Sequence, residues 1–286
     1  MSAPIAADHV RRWSDHVVQL EFPSQTLPPY ASTWITIIHD RGEAFIVDPG
    51  FSQPAAADTL AAYLDFLRIK TVVGVLITHA HRDHIDGLSY VQQGVASGAF
   101  VGGHPDALTQ VAHGPNRRHL NHDDRIAIGE MAVTALYTPG HAEGHLCFAL
   151  PDGGMIGGDL VTGSGPSYIG VPGGNAVAYE DSLRMVAERK PVWLAVSHGP
   201  AIRDPSAAIK RALEHRGRRE MQLRVATQQP QPLGALVDIL YPTVALDARL
   251  YLERSALGYL EKLMTEGAVV NLGGGEDGPY QAVPSP

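Results

Sequence analysis

The sequence predicts a mixed α and β fold, in which helices cover β-sheets, followed by a smaller helical domain. Short runs rich in β-branched residues alternate with helical stretches over the first two thirds of the 286-residue chain. After about Pro205 the pattern changes to helices that follow one another. Interleaved strands and helices are typical of proteins whose sheets bury an apolar face beneath helices.

The first predicted elements lead towards a buried strand. Strands are predicted over residues 17–21, 34–38 and 44–47, the last two as a hairpin. Residues 54–67 form an amphipathic helix, because Leu60, Leu64 and Leu67 recur at helical spacing. Residues 71–77 are an almost uninterrupted apolar run, which indicates a buried strand.

The remaining predicted elements divide the chain into two domains. Further strands are predicted over residues 131–137, 146–150, 155–157 and 192–196, with a helix over residues 179–188. Beyond Pro205 we predict helices over residues 206–226, 233–240 and 246–266, then a short strand over residues 268–272 and a flexible tail from Gly273. We therefore expect a larger domain over residues 1–205 and a small helical domain over residues 206–286.

Composition excludes several classes of protein. The 44% of hydrophobic and 18% of charged residues are those of a globular chain with a core. Since no apolar run reaches the roughly 20 residues of a membrane span, and Asp8 and His9 lie where a signal peptide would be apolar, we expect a cytoplasmic protein. The single cysteine, Cys147, excludes an intrachain disulfide. The net charge of -8 counts against nonspecific nucleic-acid binding.

Four side chains able to bind metals follow the predicted buried strand: His79, His81, Asp83 and His84. Packing alone gives no reason to bring such residues together, and a loop at a strand end can point them at one ion or at two neighbouring ions. The spacing therefore predicts a metal site at the end of this strand.

Three further ligand-type residues follow later predicted strands. His141 ends the segment Thr138-Pro139-Gly140-His141, Asp159 follows Gly158, and His198 precedes Gly199. Glycine lets the backbone turn sharply near a bound ion or substrate. Each residue alone is weak evidence, but all of them in this order favour one site built from five histidines and two aspartates.

This pattern resembles the metallo-β-lactamase superfamily over roughly the first 200 residues. The resemblance implies an α+β fold, a four-layer αββα sandwich of two face-to-face sheets with helices outside, and a binuclear metal site at one edge. It also implies a division of the ligands: His79, His81 and His141 on the first metal, Asp83, His84 and His198 on the second, and Asp159 bridging both.

Such a site suits hydrolysis. Imidazole and carboxylate ligands fit two divalent ions, Zn²⁺ in the first place and Mn²⁺ or Fe²⁺ as alternatives. A water shared by two ions has its pKa lowered towards neutrality, so a bridging hydroxide can attack a carbonyl or phosphoryl centre. Asp83 is the candidate catalytic residue, because it could orient that water or accept its proton.

Residues near the predicted site have alternative interpretations. His145 is either a hydrogen-bond partner behind the ligands or a solvated histidine at a strand edge. Cys147 lies in an apolar strand and is interpreted as an inert buried thiol. The Gly-rich segment 163–166 could border a substrate cleft or be an ordinary connector.

The C-terminal helices point to one branch of the superfamily. Three helices followed by a strand look like a winged helix, and with His215-Arg216 they resemble the branch with a C-terminal winged-helix segment, which has glyoxalase II-like and endoribonuclease-like relatives. Basic residues on helix 206–226 could line a path for RNA phosphates. Because Glu214 and Glu220 lie among them, the same helix could instead present an ordinary solvated face.

Three functions remain open from the sequence. The first is a hydrolase of a small-molecule ester, thioester or similar carbonyl substrate, which resembles glyoxalase II. The second is a single-strand endoribonuclease, for which single-stranded RNA is the partner. The third is a mononuclear iron sulfur dioxygenase or a metal-bearing module that binds nucleic acid. No membrane partner is expected, and a homodimer is an open alternative.

Overall fold

Two β-sheets lie face to face, and each carries helices on its outer surface. The structure, a computed structural model, describes residues 4–111, 116–243 and 248–284. The first two residues of the predicted helix 246–266 lie outside these ranges. A 3-10 helix over Ala7–His9 precedes the first strand.

The first sheet has seven strands in sequence order. They are β1 (Val10–Arg12), β2 (Val17–Pro23), β3 (Ser32–Asp40), β4 (Glu43–Val47), β5 (Thr71–Leu76), β6 (Phe100–Gly103) and β7 (Arg117–His119). The neighbours β1 to β4 pair antiparallel, whereas β4 to β7 pair parallel. Helix α1 (Pro54–Phe66) makes the crossover between β4 and β5.

The second sheet has five strands in the order β12-β11-β10-β9-β8. They are β8 (Arg125–Ile128), β9 (Met131–Tyr137), β10 (Leu146–Ala149), β11 (Met155–Gly158) and β12 (Leu194–Val196). Only β11 and β12 pair parallel, through the crossover that contains α5 (Ala176–Arg189). Asn175 begins that helix, because its side-chain oxygen accepts a hydrogen bond from the Ala178 amide at 2.9 Å.

Alternating side chains explain why the central strands are apolar throughout. In β3, Ile37 belongs to the cluster beneath the outer helices, while Ile38 belongs to the cluster between the sheets. The helices α1, α3 (Leu88–Gln93) and α4 (Pro105–Gln110) cover the first sheet. Helix α5 and the start of α6 (Pro205–Ala226) cover the second. These four layers confirm the predicted α+β sandwich.

The last part of the chain has a hydrophobic cluster of its own. It is built from α7 (Leu233–Leu240), α8 (Arg249–Thr265) and the antiparallel pair β13 (Val269–Asn271) and β14 (Tyr280–Ala282), with Leu223 from α6. Helix α6 also contributes Ile209 to the cluster beneath the second sheet. Within the described ranges, no helix is long and apolar enough to cross a membrane.

Strand β14 corrects one expectation. The glycine content beyond Gly273 predicts a flexible tail without regular structure, yet Tyr280 is buried at the antiparallel pairing with Asn271. The apolar cluster around α8 supplies an anchor for this aromatic ring, which a local reading of the tail does not reveal.

Candidate metal centre

The seven predicted ligand residues all follow strand ends at one edge of the sandwich. His79, His81, Asp83 and His84 follow β5, and α2 (Arg82–Ile85) forms immediately beyond it. His141 follows β9, Asp159 follows β11 and His198 follows β12. Because β11 and β12 are parallel, with Gly158 opposite Val196, the residues after them emerge side by side.

Three ring nitrogens form the first group. His79 Nε2 lies 2.9 Å from His81 Nδ1 and 3.2 Å from His141 Nε2, and the latter two nitrogens are 3.0 Å apart. The other ring nitrogen of His141, Nδ1, donates a hydrogen bond to the Tyr168 carbonyl at 2.7 Å. The three nitrogens of the first group therefore face one another.

This spacing fits a bound cation. Four nitrogens arranged tetrahedrally at about 2.0–2.1 Å from a zinc ion lie a little over 3 Å from one another. The ring of His141 uses its single proton on Tyr168, so its Nε2 turns a lone pair towards the two other rings. Converging lone pairs repel unless a proton or a cation lies among them, and the donor set is the one that suits zinc.

A second group lies beside the first. His84 Nε2 and His198 Nε2 are 3.4 Å apart, and Asp83 Oδ2 lies 3.3 Å from His198 Nε2. His198 Nδ1 donates to the Ser32 carbonyl at 3.0 Å, so its Nε2 faces the group. The Asp83 backbone is held by Thr33, whose hydroxyl donates to the Asp83 carbonyl at 2.9 Å.

Asp159 faces both groups with one carboxylate oxygen each. Its Oδ2 lies 3.6 Å from His141 Nε2, while its Oδ1 lies 3.5 Å from both His84 Nε2 and His198 Nε2. Oδ1 is buried and has no hydrogen-bond partner among the described residues. A buried carboxylate oxygen without a partner is costly, which again fits a cation between the two groups.

Asp48 lies behind the candidate centre, and the sequence analysis did not single it out. Its Oδ2 accepts hydrogen bonds from His84 Nδ1 at 2.9 Å and from the Thr78 hydroxyl at 2.6 Å, and its Oδ1 accepts from the Thr78 amide at 2.7 Å. Thr78 in turn accepts from His79 Nδ1 at 3.0 Å. One carboxylate thus sets the tautomer of two candidate ligands, a common arrangement behind metal-bound histidines. The signal in the sequence is an aspartate at the end of β4, which pairs with β5.

His145 is a fully buried partner behind the centre and not a solvated strand-edge residue. Its Nε2 accepts a hydrogen bond from the Asp159 amide at 3.3 Å, so Nδ1 carries the proton and donates to the Thr138 hydroxyl at 2.8 Å. Burial lowers the pKa of His145 to about 3, which keeps the ring neutral. Gly158 permits this approach, since a Cβ there would lie 2.8 Å from His145 Nε2.

The electrostatics of the two groups differ. Burial lowers the pKa of His79 well below its usual value, and the neighbouring rings lower it further. Burial also acts to lower the pKa of His84, but the carboxylates of Asp159 and Asp48 outweigh it and raise that pKa. Burial acts to raise the pKa of Asp159, but His198 and His84 hold it well below its usual value. The Asp159 carboxylate therefore stays negative at the point where cations would be held.

The structure thus brings together all seven residues, in the groups His79, His81 and His141; His79, His84 and Asp159; and Asp83, His84 and His198. Cys147 is buried away from solvent, which raises its pKa to about 12 and agrees with an inert thiol. Metal binding by the seven remains a prediction from this geometry.

Comparison with known proteins yields a family model and several relatives. The model described as metallo-beta-lactamase superfamily matches residues 29–198, more than half of the chain. An atrochrysone carboxyl ACP thioesterase of Passalora fulva is 28% identical over 199 residues, which are 66% of this chain and 55% of the relative. A hydroxyacylglutathione hydrolase of Marinomonas sp. (strain MWYL1) is 35% identical over 124 residues, 43% of either protein. The chain thus spans about half the length of these relatives.

Solved structures share the fold over nearly the whole chain. A β-lactamase domain protein from Burkholderia ambifaria has a TM-score of 0.84 at 21% identity, covering 96% of this chain and 93% of that chain. A metallo-β-lactamase family protein from Thermus thermophilus has a TM-score of 0.75 at 22% identity, covering 94% of this chain and 99% of that chain. Because these matches cover nearly all of this chain, the shared fold includes the helices after β12.

Proposed function

This chain belongs to the metallo-β-lactamase superfamily, and from that membership and its cluster of ligand-type residues we propose that it is a hydrolase that cleaves a thioester or related ester with two divalent metal ions. The observation that carries the proposal is the position of Asp159, whose two carboxylate oxygens face two separate groups of side chains. A carboxylate in that position suits a bridge between two cations.

We propose a division of the ligands between the two ions. His79, His81 and His141 would hold the first, Asp83, His84 and His198 would hold the second, and Asp159 would contact both. Zinc is our first choice of metal, because imidazole dominates the donor set. Bound there, the ions would supply a water of lowered pKa and a Lewis acid for the scissile carbonyl.

The residues of the chain then position the reacting groups. We propose Asp83 as the catalytic residue that orients the attacking water, since its carboxylate lies at the edge of the second group beside His198. Its pKa favours orientation over proton storage: burial acts to raise it, but His84 and a hydrogen bond to His198 hold it below its usual value. Asp48 and His145 would fix the ligands from behind.

Thioesters are proposed as the substrate class because of the names of two relatives. One is a carrier-protein thioesterase and the other is a hydroxyacylglutathione hydrolase, and each aligns with part of this chain. The acidic net charge of -8 suits a small substrate better than a polyanion. We further propose that residues 1–205 carry the chemistry and that residues 206–286 contribute to the selection of the substrate.

The test offers purified, metal-quantified protein a glutathione thioester and, in parallel, end-labelled single-stranded RNA. We expect thioester turnover with two bound metals per chain. A His81→Ala variant, purified identically, should lose that turnover because it removes a ligand nitrogen. An Asp83→Asn variant should keep both metals and lose turnover by about 10²- to 10⁴-fold, the usual contribution of such a group.

Other outcomes would replace the proposal with a specific alternative. Cleavage of RNA by the native protein but not by His81→Ala, without thioester turnover, would establish the endoribonuclease function. One bound iron per chain would favour the sulfur dioxygenase. Loss of a metal from Asp83→Asn would make Asp83 a ligand only.

A further inference from the structure

A cavity beside the metal centre is lined by several basic side chains. Its volume is about 210 Å³. One wall is a face of α6, where Arg211, His215 and Arg218 recur at a spacing of four and three residues and so lie on the same side of the helix. The opposite wall is the loop 161–167, which follows Asp159 directly.

The loop wall is fixed to the metal centre and offers hydrogen-bonding groups. The Gly163 amide donates to the carbonyl of His198 at 2.8 Å, and the Tyr30 hydroxyl donates to the Ser164 carbonyl. Tyr30 stacks on the ring of His198, with 5.4 Å between centroids. Thr162, Ser164 and Ser167 are among the lining residues, and the hydroxyls of Thr162 and Ser167 donate to backbone carbonyls close by in the chain. The loop 161–167 therefore lies between the cavity and the candidate metal centre.

The charge of the cavity is not compensated. Arg211 and Arg218 are exposed at the mouth of the cavity; within the described part of the chain they form no ion pair or hydrogen bond, and the lining contains no carboxylate. The nearest acidic residue on that stretch of helix, Glu214, pairs instead with Lys210 at 3.8 Å. Other arginines of the C-terminal part all have partners: Arg216 with Ser167 and Tyr259, Arg219 with Leu240, Arg224 with Glu266, Arg249 with Asp238 and Arg254 with Glu276.

Two unpaired arginines that line a small cavity suit the binding of an anion, and they stand out in a chain with a net charge of -8. Guanidinium groups bind carboxylates and phosphates through paired, charge-assisted hydrogen bonds. The volume is below the about 300 Å³ at which ligand pockets usually begin, so it suits one ionic group and not a whole substrate. Burial lowers the pKa of His215 to about 4, so this ring acts as a neutral hydrogen-bonding group there.

We propose that Arg211 and Arg218, with the loop 161–167, form a subsite for an anionic group on the thiol half of the substrate. This inference rests on the proposed thioester hydrolysis. Thiols that carry acyl groups in cells commonly bear such groups far from sulfur, either a phosphate on a pantetheine arm or the carboxylates of glutathione. The subsite would hold that anion while the thioester carbonyl lies at the metal centre, and so it would select charged thioesters over neutral ones.

The experiment compares pairs of thioesters that share a scissile bond and differ in one anion. Acetyl-4′-phosphopantetheine is compared with acetyl-pantetheine, and S-acetylglutathione with its diethyl ester. We expect the native protein to prefer the charged member of one pair by at least 10-fold in kcat/KM, and the pair concerned identifies phosphate or carboxylate. The double variant R211Q/R218Q should reduce that preference to within twofold, mainly by raising KM.

Lys210→Gln is the matched control, because it removes a positive charge from the same helix outside the cavity. It should keep the preference of the native protein. Absence of a preference in the native protein, or its survival in R211Q/R218Q, would overturn the subsite. An equal loss in Lys210→Gln would reduce it to a general effect of charge.

Hydrolysis of the neutral members tests the proposed function separately. If neither neutral nor charged thioesters react, the proposal of thioester hydrolysis is wrong. Calorimetric titration with 4′-phosphopantetheine, glutathione and pantetheine then tests the subsite by binding alone. Tighter binding of a charged thiol by the native protein than by R211Q/R218Q would support it, and equal binding would overturn it.

Discussion

At the scale of single residues, the candidate centre depends on groups that lie behind it. The sequence predicted all seven residues that converge, because each has a side chain suited to a metal and follows a strand. It did not predict Asp48, since an aspartate before Pro49-Gly50 is typical of any turn. What makes Asp48 important is the parallel pairing of Val47 with Leu76, which no local pattern contains.

Asp48→Asn should weaken metal binding about 10- to 100-fold, the usual effect of removing a partner behind a ligand. The asparagine side chain has one acceptor oxygen in place of two. It therefore cannot accept all three hydrogen bonds that His84 Nδ1, the Thr78 hydroxyl and the Thr78 amide donate to the carboxylate. Competition with a chelator measures the change, and we expect it chiefly in the metal held by His84. Unchanged affinity would show that the carboxylate does not orient this ring.

Asp123→Asn is a suitable control for that experiment. Both Asp48 and Asp123 have positive φ, 54° and 65°, so the two substitutions place asparagine in the same backbone region. Asp123 is exposed and pairs with Arg189 at 3.3 Å, and none of its ion pairs among the described residues involves a candidate ligand. The metal affinity of the Asp123→Asn variant should therefore equal that of the native protein.

At the scale of elements, the long and strongly patterned segments were predictable, and so were short apolar strands such as β11 and β12, but β6 and β7 were not. Residues 131–137 and 233–240 coincide with β9 and α7, because their apolar patterns extend over whole elements. Strands β6 and β7 have four and three residues, too few for alternation to show. They form because β5 offers an unpaired parallel edge, which is a tertiary cause.

The turn after β4 allows a testable substitution, Gly50→Ala. A Cβ at Gly50 would lie 1.6 Å from the Asp83 carbonyl oxygen, so the loop that carries Asp83 and His84 must move. We expect a loss of about 1–3 kcal/mol in the free energy of unfolding, as for other overpacked sites. The second metal should be lost as well. Denaturant unfolding and metal analysis of the purified variant measure the two effects.

Gly217→Ala is the opposite case and serves as the control. Gly217 lies inside α6, and nothing is within 4 Å of the Cβ that alanine would add. Alanine should therefore stabilise the protein by about 0.5–1 kcal/mol through helix propensity, with both metals retained. If Gly50→Ala unfolds like the native protein, the close approach to Asp83 does not constrain the loop.

At the scale of the whole molecule, a cluster of buried charges joins three helices. Lys262 of α8 donates to Glu180 of α5 at 2.6 Å and to Glu220 of α6 at 2.5 Å. All three side chains are at most 13% exposed. One of the two interpretations of this helix from the sequence placed Glu220 on a solvated face, because the partner that buries it lies 42 residues further along the chain.

Lys262→Met should destabilise the protein by about 3 kcal/mol near neutral pH, because it leaves Glu220 without its cation and Glu180 with Arg184 alone. Removal of the Lys262 cation would raise the pKa of both carboxylates, that of Glu220 from a value that burial already raises. Lowering the pH would then protonate them and reduce the loss. Denaturant unfolding at pH 7.5 and at pH 5.5 measures both the loss and its recovery. Lys210→Met, which removes an exposed lysine, should change stability by at most about 1 kcal/mol at either pH. Equal losses in the two variants would contradict the role of the cluster.

The packing of α6 has a consequence for how the chain can be divided. Its first turns bury Ala208 and Ile209 beneath the second sheet, and its last turns bury Leu223 among the C-terminal helices. Because one continuous helix of 22 residues contributes to both clusters, displacing it would expose apolar surface of both. A fragment that stops before Pro205 would lack part of the wall beneath its own second sheet. The C-terminal part is thus less a detachable module than a structural member of the enzyme, and a chimera of two relatives joined at residue 205 should be stable only if the face of α6 beneath the second sheet matches that sheet.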